Sequence, residues 1–134
     1  MNNTLHNSND FEGMRKAGNL AASTLDLLVD HVKPGVSTDE LDYFAFEFIT
    51  KNGGLIAPLF YKGFPKSICT SINHVICHGI PSDKKTLKSG DIINIDVTVI
   101  YEGWHGDTSK MYLVGNVPAH AKRLVDITQQ CYFF

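Results

Sequence analysis

Apolar residues recur at helical spacing from Phe11 to Val32, with Met14, Ala17, Ala21, Leu25, Leu28 and Val32 on one stripe. Lys33-Pro34-Gly35 ends that predicted helix, since proline disfavours helical geometry just before it and glycine suits the turn. Ser37-Thr38-Asp39-Glu40 reads as a capping box. It opens a second helix that runs to about Lys51 and buries Leu41, Phe44, Ala45 and Phe48, and Asn52-Gly53-Gly54 stops it. Residues 55–66 mix Pro58, Gly63 and Pro65 with aromatics and predict a long ordered loop. Ser67–Ser71 and Val75–Cys77 are short strand candidates, and residues 81–90 form a polar turn. From Asp91 the period changes to two. Ile93, Ile95, Val97 and Val99 are apolar and Asn94, Asp96 and Thr98 polar, which predicts a strand with one greasy and one polar face. Glu102-Gly103 predicts a turn, with His105–Val114 returning antiparallel. Asn116 and Pro118 supply the cap and first turn of a third helix whose stripe is Leu124, Ile127, Cys131 and Phe134. That helix runs into the last residue with no glycine, asparagine or polar tail, so it reads as interrupted.

Composition narrows the class without choosing a function. A chain of 134 residues argues for one domain, with residues 1–10 as a loose polar arm and residues 11–134 as the folded part. Hydrophobic residues at 43% and charged residues at 19% exclude collagen-like, low-complexity and broadly disordered chains. Twelve basic against fourteen acidic residues, with no Lys/Arg cluster, predict no nucleic-acid partner for the chain by itself. Three cysteines without a CxxC pair argue against a disulfide framework and for a reducing, cytoplasmic setting. No apolar run approaches the roughly 18 residues needed to span a membrane, so no membrane association is expected.

The chemistry concentrates on the predicted hairpin. Asp96 and Asp107 are eleven residues apart across the turn. With an even-numbered loop both side chains share one face, about 5–8 Å apart as cross-strand or diagonal neighbours. Two ionised carboxylates that close repel unless a proton or a cation lies between them, and oxygen donors on a rigid hairpin suit divalent metals. An odd loop would place them on opposite faces, and the other reading is that Asp96 simply faces solvent and Asp107 caps a turn. Cys69, His74, Cys77 and His78 raise a second metal possibility, but C-x4-H-x2-C-H is no standard zinc spacing. Cys69 and Cys77 read better as small buried hydrophobes. His78, before Gly79-Ile80-Pro81, is either a hydrated surface histidine or an imidazole contacting a bound substrate.

Several long runs resemble type I methionine aminopeptidases: Tyr61-Lys-Gly-Phe-Pro-Lys-Ser67, Cys69-x-Ser-Ile-Asn73, Val75-Ile-Cys-His-Gly-Ile-Pro81, Gly90-Asp-Ile-Ile-Asn-Ile-Asp-Val-Thr-Val99 and Gly103-Trp-His-Gly-Asp-Thr-Ser-Lys-Met111. The resemblance covers about residues 11–134. It implies an α/β (α+β) architecture, the N-terminal half of the pita-bread (creatinase/aminopeptidase) fold, with an antiparallel sheet and flanking helices. The implied activity is removal of the initiator methionine from nascent polypeptide N-termini at a site of two divalent ions (Co, Mn, Fe or Zn). By motif, Asp96 and Asp107 match the two aspartate ligands, with Asp107 bridging. His78 matches the histidine that contacts the scissile peptide, and Cys69 and Tyr61 match residues lining the methionine pocket. Phe64 stands where many relatives have tyrosine. In the family the remaining ligands, one histidine and two glutamates, come from the second half, as do a second substrate-contacting histidine and the acid/base glutamate. Glu102 and His105 match none of these. The resemblance therefore implies incompletely liganded metals and a chain that needs a complementing C-terminal half. The other expectation is a non-catalytic remnant acting as an association module through its uncovered sheet and apolar third helix.

Overall fold

In chain order the elements are α1 (Ser8–Leu28), α2 (Thr38–Lys51), β1 (Leu55–Ile56), β2 (Cys69–Ile72), β3 (Ile92–Tyr101), β4 (Trp104–Leu113) and α3 (Ala119–Cys131). They are seen in a computed structural model that describes residues 5–133. β3 is the spine of an antiparallel sheet. β4 pairs along one side of it, while β2 and the short β1 share the other. The β3–β4 turn has two residues, Glu102 (φ 50°) and Gly103 (φ 85°). Positive φ at both positions is the tight-hairpin geometry whose twist matches that of the strands. Tyr101 therefore pairs with Trp104 and the register is even throughout.

That register divides the sheet by parity. Ile93, Ile95, Val97 and Val99 are fully buried and face α1 and α2, whose Ala17, Ala21, Leu25, Leu28, Leu41, Ala45 and Ile49 complete the core. From β4, Tyr112 joins them and donates its hydroxyl to the Leu25 carbonyl at 2.6 Å. Gly106 lies on the same inward face, and a Cβ there would run into the backbone at Ala17 and Gly18. The missing side chain lets α1 lie directly on the strand that carries Asp107.

The helix ends depart from the periodic reading for local reasons. α1 starts three residues before Phe11, because Asn7 and Asp10 bond reciprocally: Asn7 N to the Asp10 carboxylate at 2.8 Å and Asp10 N to Asn7 Oδ1 at 3.4 Å. Of the expected arm, Ser8–Asp10 are thus helical and residues 1–4 lie outside the described residues. The Ser37–Glu40 capping box forms as read. Val75–Cys77 is not a strand: Ile76 is 93% exposed, and the segment after Asn73 (φ 52°) is irregular. Cys77 is consequently exposed rather than a small buried hydrophobe. α3 begins at Ala119 with Pro118 before it. Asn116 does not cap it but donates its N–H to Ser89. α3 buries none of its residues, and Leu124, Ile127 and Cys131 are exposed. Phe134 lies outside the described residues.

Gly106→Ala should destabilise the chain by about 1–3 kcal/mol, since α1 has to move off the sheet to admit a methyl group. Urea unfolding followed by circular dichroism would check it, with Gly18→Ala, where an added Cβ meets nothing within 4 Å, as the comparison.

Candidate active site

On the outward face of the sheet the odd register positions of β4 meet the even positions of β3. Thr98 pairs with Asp107 and Asp96 with Ser109, so the two carboxylates are diagonal neighbours on one face. Across the other side of β3, Asp96 pairs with Cys69. Thr98 Oγ1 donates to Asp107 Oδ1 at 3.1 Å and orients that carboxylate. The Asp96 carboxyl is held above the usual carboxylate range, first by burial and then by the facing Asp107, with His78 acting weakly the other way. The Cys69 thiol is pushed up to about 11, chiefly by burial and next by Asp96, which keeps it protonated and poorly nucleophilic.

Two irregular segments wall this face. The first runs from Ala57, whose N–H bonds the Thr98 carbonyl at 3.2 Å, through a single 3-10 turn at Tyr61–Gly63. It closes on itself through Phe60 N to Phe64 O at 2.7 Å and Phe64 N to Tyr61 O at 2.9 Å. The second carries His78 and is tied to β2 by Thr70 N to Gly79 O at 2.7 Å and Gly79 N to Ser71 Oγ at 3.2 Å. Phe60 (φ 66°), Lys62 (φ 47°) and His78 (φ 54°) all adopt left-handed backbone that non-glycine residues disfavour. Such strain concentrates at functional sites, where surrounding structure holds it in place. From beneath, buried Asp42 of α2 accepts Ser67 N–H at 2.7 Å and Ile68 N–H at 3.0 Å. It thereby fixes the chain as it enters Cys69.

The result is one cavity of about 760 Å³. Asp96, Asp107, His78, Cys69, Tyr61 and Phe64 all line it, whereas His74 and Cys77 do not. Thr98, His105, Lys62, Ala57, Pro58 and Ile80 line it as well. His105 matches no motif of the resemblance; strand parity, two residues from Asp107, is the signal that places it on this face. Lys62 carried no periodic signal, since it sits in a loop.

The model of metallopeptidase family M24 matches residues 12–132. The chain belongs to that family. Methionine aminopeptidase of Rickettsia prowazekii is 61% identical over 124 residues, covering 92% of this chain and 48% of that protein. The Escherichia coli K12 methionine aminopeptidase is 54% identical over 125 residues, covering 92% of this chain and 47% of its own length. The crystal structure of the Rickettsia prowazekii enzyme superposes with a TM-score of 0.92 at 60% identity, over 95% of this chain and 51% of that one. The chain thus spans about half the length of the curated relatives it matches, and its α+β fold is that of the pita-bread structures over that half.

For an M24 chain the donor set fits part of a divalent-metal centre. Two hard carboxylates face one another, one of them half-buried and raised by the other, which is the arrangement a cation relieves. Among the described residues no group of three His, Cys, Asp or Glu side chains could hold an ion.

Asp107→Asn should stabilise the metal-free M24 chain by roughly 0.5 kcal/mol by removing a like-charge neighbour. The raised Asp96 carboxyl means that the folded chain keeps a proton the unfolded chain has lost, so stability falls as pH rises from the ordinary aspartate range through the raised folded value. Thermal melts across that range should show a shallower fall in Asp107→Asn. Asp42→Ala strands two N–H groups of a buried segment and should cost about 2 kcal/mol, with Asp42→Asn costing less, as read by urea unfolding.

Proposed function

We propose that this chain contributes one half of a two-metal methionine aminopeptidase, acting on nascent polypeptide N-termini in the cytoplasm. The observation that carries the reading is the convergence of Asp96 and Asp107 on one cavity with Tyr61, Phe64, Cys69 and His78. The identity to methionine aminopeptidases supports it. In this reading residues 11–134 are the N-terminal half of the enzyme domain. Asp96 and Asp107 would hold divalent Co, Mn, Fe or Zn ions. Bound ions would supply Lewis acidity toward the substrate carbonyl.

The chain's own residues then have separate tasks. Thr98 holds the Asp107 carboxylate in one orientation through its hydroxyl. Cys69, protonated and buried, offers a polarisable wall suited to a thioether side chain, and Tyr61 and Phe64 add aromatic surface to it. His78 contacts the scissile peptide from a segment pinned to β2, so its imidazole is positioned rather than free to search.

Two carboxylates leave each ion short of donors, and nothing in the set is placed as a general base. A complementing C-terminal half supplies the rest. The unburied stripe of α3, with Leu124 61% and Ile127 43% exposed, supports a covered rather than a solvated helix face. The same stripe favours the second reading, a non-catalytic association module.

The purified chain should bind Mn²⁺ weakly and release no measurable methionine from Met-Ala-Ser peptides. Co-expression with the part of the Rickettsia prowazekii enzyme that this chain does not match should restore release, and Asp107→Asn should abolish it. Robust release by the chain alone, lost in Asp107→Asn, would overturn the need for completion. A stable complex that remains inactive would favour the association module.

A further inference from the structure

Among the residues lining the cavity Lys62 is the only lysine or arginine. Five other lysines have carboxylate partners: Lys16 with Glu102, Lys51 with Glu47, Lys66 with Asp39, Lys110 with Asp26 and Lys122 with Asp126. Lys62 is in none of the ion pairs among the described residues. Its ammonium instead lies 5.5 Å from the centroid of the Tyr61 ring, on the cavity wall. The backbone beneath it is left-handed, at φ 47° and ψ 31°. Glycine would take that conformation without cost, so a lysine there is held against local preference. None of the residues of the Tyr61–Gly63 turn is buried, so core packing does not explain it, and no carboxylate among the described residues pairs with Lys62.

We propose that Lys62 is a specificity residue whose ammonium receives a carboxylate of the polypeptide occupying the cavity. This deepens the reading given under Proposed function and rests on it. Tyr61 and Phe64 flank Lys62 in sequence and line the same cavity. A chain whose terminal side chain lies against these aromatics therefore passes Lys62 with the residues that follow. The carboxylate is a Glu or Asp side chain in that stretch or, in a short peptide, the terminal carboxylate. The contact is solvent-exposed, so it is modest and salt-sensitive, and it sorts substrates rather than anchoring them.

The test is a binding titration, monitored by NMR, of the intact chain with the diamagnetic ion Zn²⁺ present. The probes are three amidated peptides, Met-Ala-Glu-Ser, Met-Ala-Gln-Ser and Met-Ala-Lys-Ser, plus Met-Ala-Gln-Ser as the free acid. The amidated Glu peptide should bind about two- to fivefold more tightly than the Gln peptide, and the Lys peptide more weakly than either. High salt and Lys62→Met should remove the preference, and Lys62→Arg should keep it. A gain for the free acid instead of the Glu peptide would support the same contact with the terminal carboxylate as its source. Lys62→Gly should melt no lower than the parent chain, and a lower melting point would mark Lys62 as structural and overturn the proposal. Equal affinities, or a preference that survives in Lys62→Met, would overturn the proposal and leave the cavity reading standing. Failure of every peptide to bind, both to the chain alone and to its co-expressed complex with the complementing half, would overturn both.

Discussion

The two-residue turn at Glu102-Gly103 is the constraint on which the rest depends. Both residues are at positive φ, so β3 and β4 meet in an even register, with Tyr101 opposite Trp104. Because side chains alternate strictly along a strand, one added residue in that turn would move the whole of β4 to the other face. Asp107 and His105 would then enter the core and Gly106 would leave it. The greasy face that folds the chain and the polar face that carries the chemistry are thus fixed by one choice.

The two faces are also coupled mechanically. Gly106 brings the backbone of α1 against β4, one residue from Asp107, while Tyr112 of the same strand donates to the Leu25 carbonyl of α1. On the other side of β3, Asp42 of α2 grips the N–H groups of Ser67 and Ile68 just ahead of Cys69. Helices that never reach the cavity therefore set the positions of residues that line it. The cost is carried at the rim, where Phe60, Lys62 and His78 hold left-handed backbone, and on the floor, where Asp107 faces a half-buried Asp96.

The parts of this arrangement that follow from period were legible in the sequence. The alternation Ile93, Asn94, Ile95, Asp96 through Val99 is the observed β3, and the capping box at Ser37 is the observed start of α2. The α1 start was hidden because Asn7 and Asp10 cap it in a stretch too polar to show a stripe. Val75–Cys77 looked like a strand because Val and Ile favour one. It is tied to β2 by a turn bond, Val75 N to the Ile72 carbonyl at 3.0 Å, and not by a strand ladder, and its Ile76 stands in solvent. The motif resemblance named Tyr61, Phe64, Cys69 and His78 without placing them. It passed over Lys62 and His105, whose membership of the site comes from a loop conformation and from strand parity.

The polar face gathers two carboxylates, a hydroxyl that orients one of them, and an aromatic and thiol wall, within a chain about half as long as its relatives, and the function proposed above makes it half of a metal centre. The most direct test of that claim is paramagnetic broadening by Mn²⁺ in the ¹H–¹⁵N spectrum of the chain. The account predicts that substoichiometric Mn²⁺ broadens signals around Asp96, Thr98, His105 and Asp107 first, leaving the exposed carboxylates Asp83 and Asp126 unaffected. Broadening that begins at those surface sites, or that persists unchanged in Asp96→Asn, would contradict it.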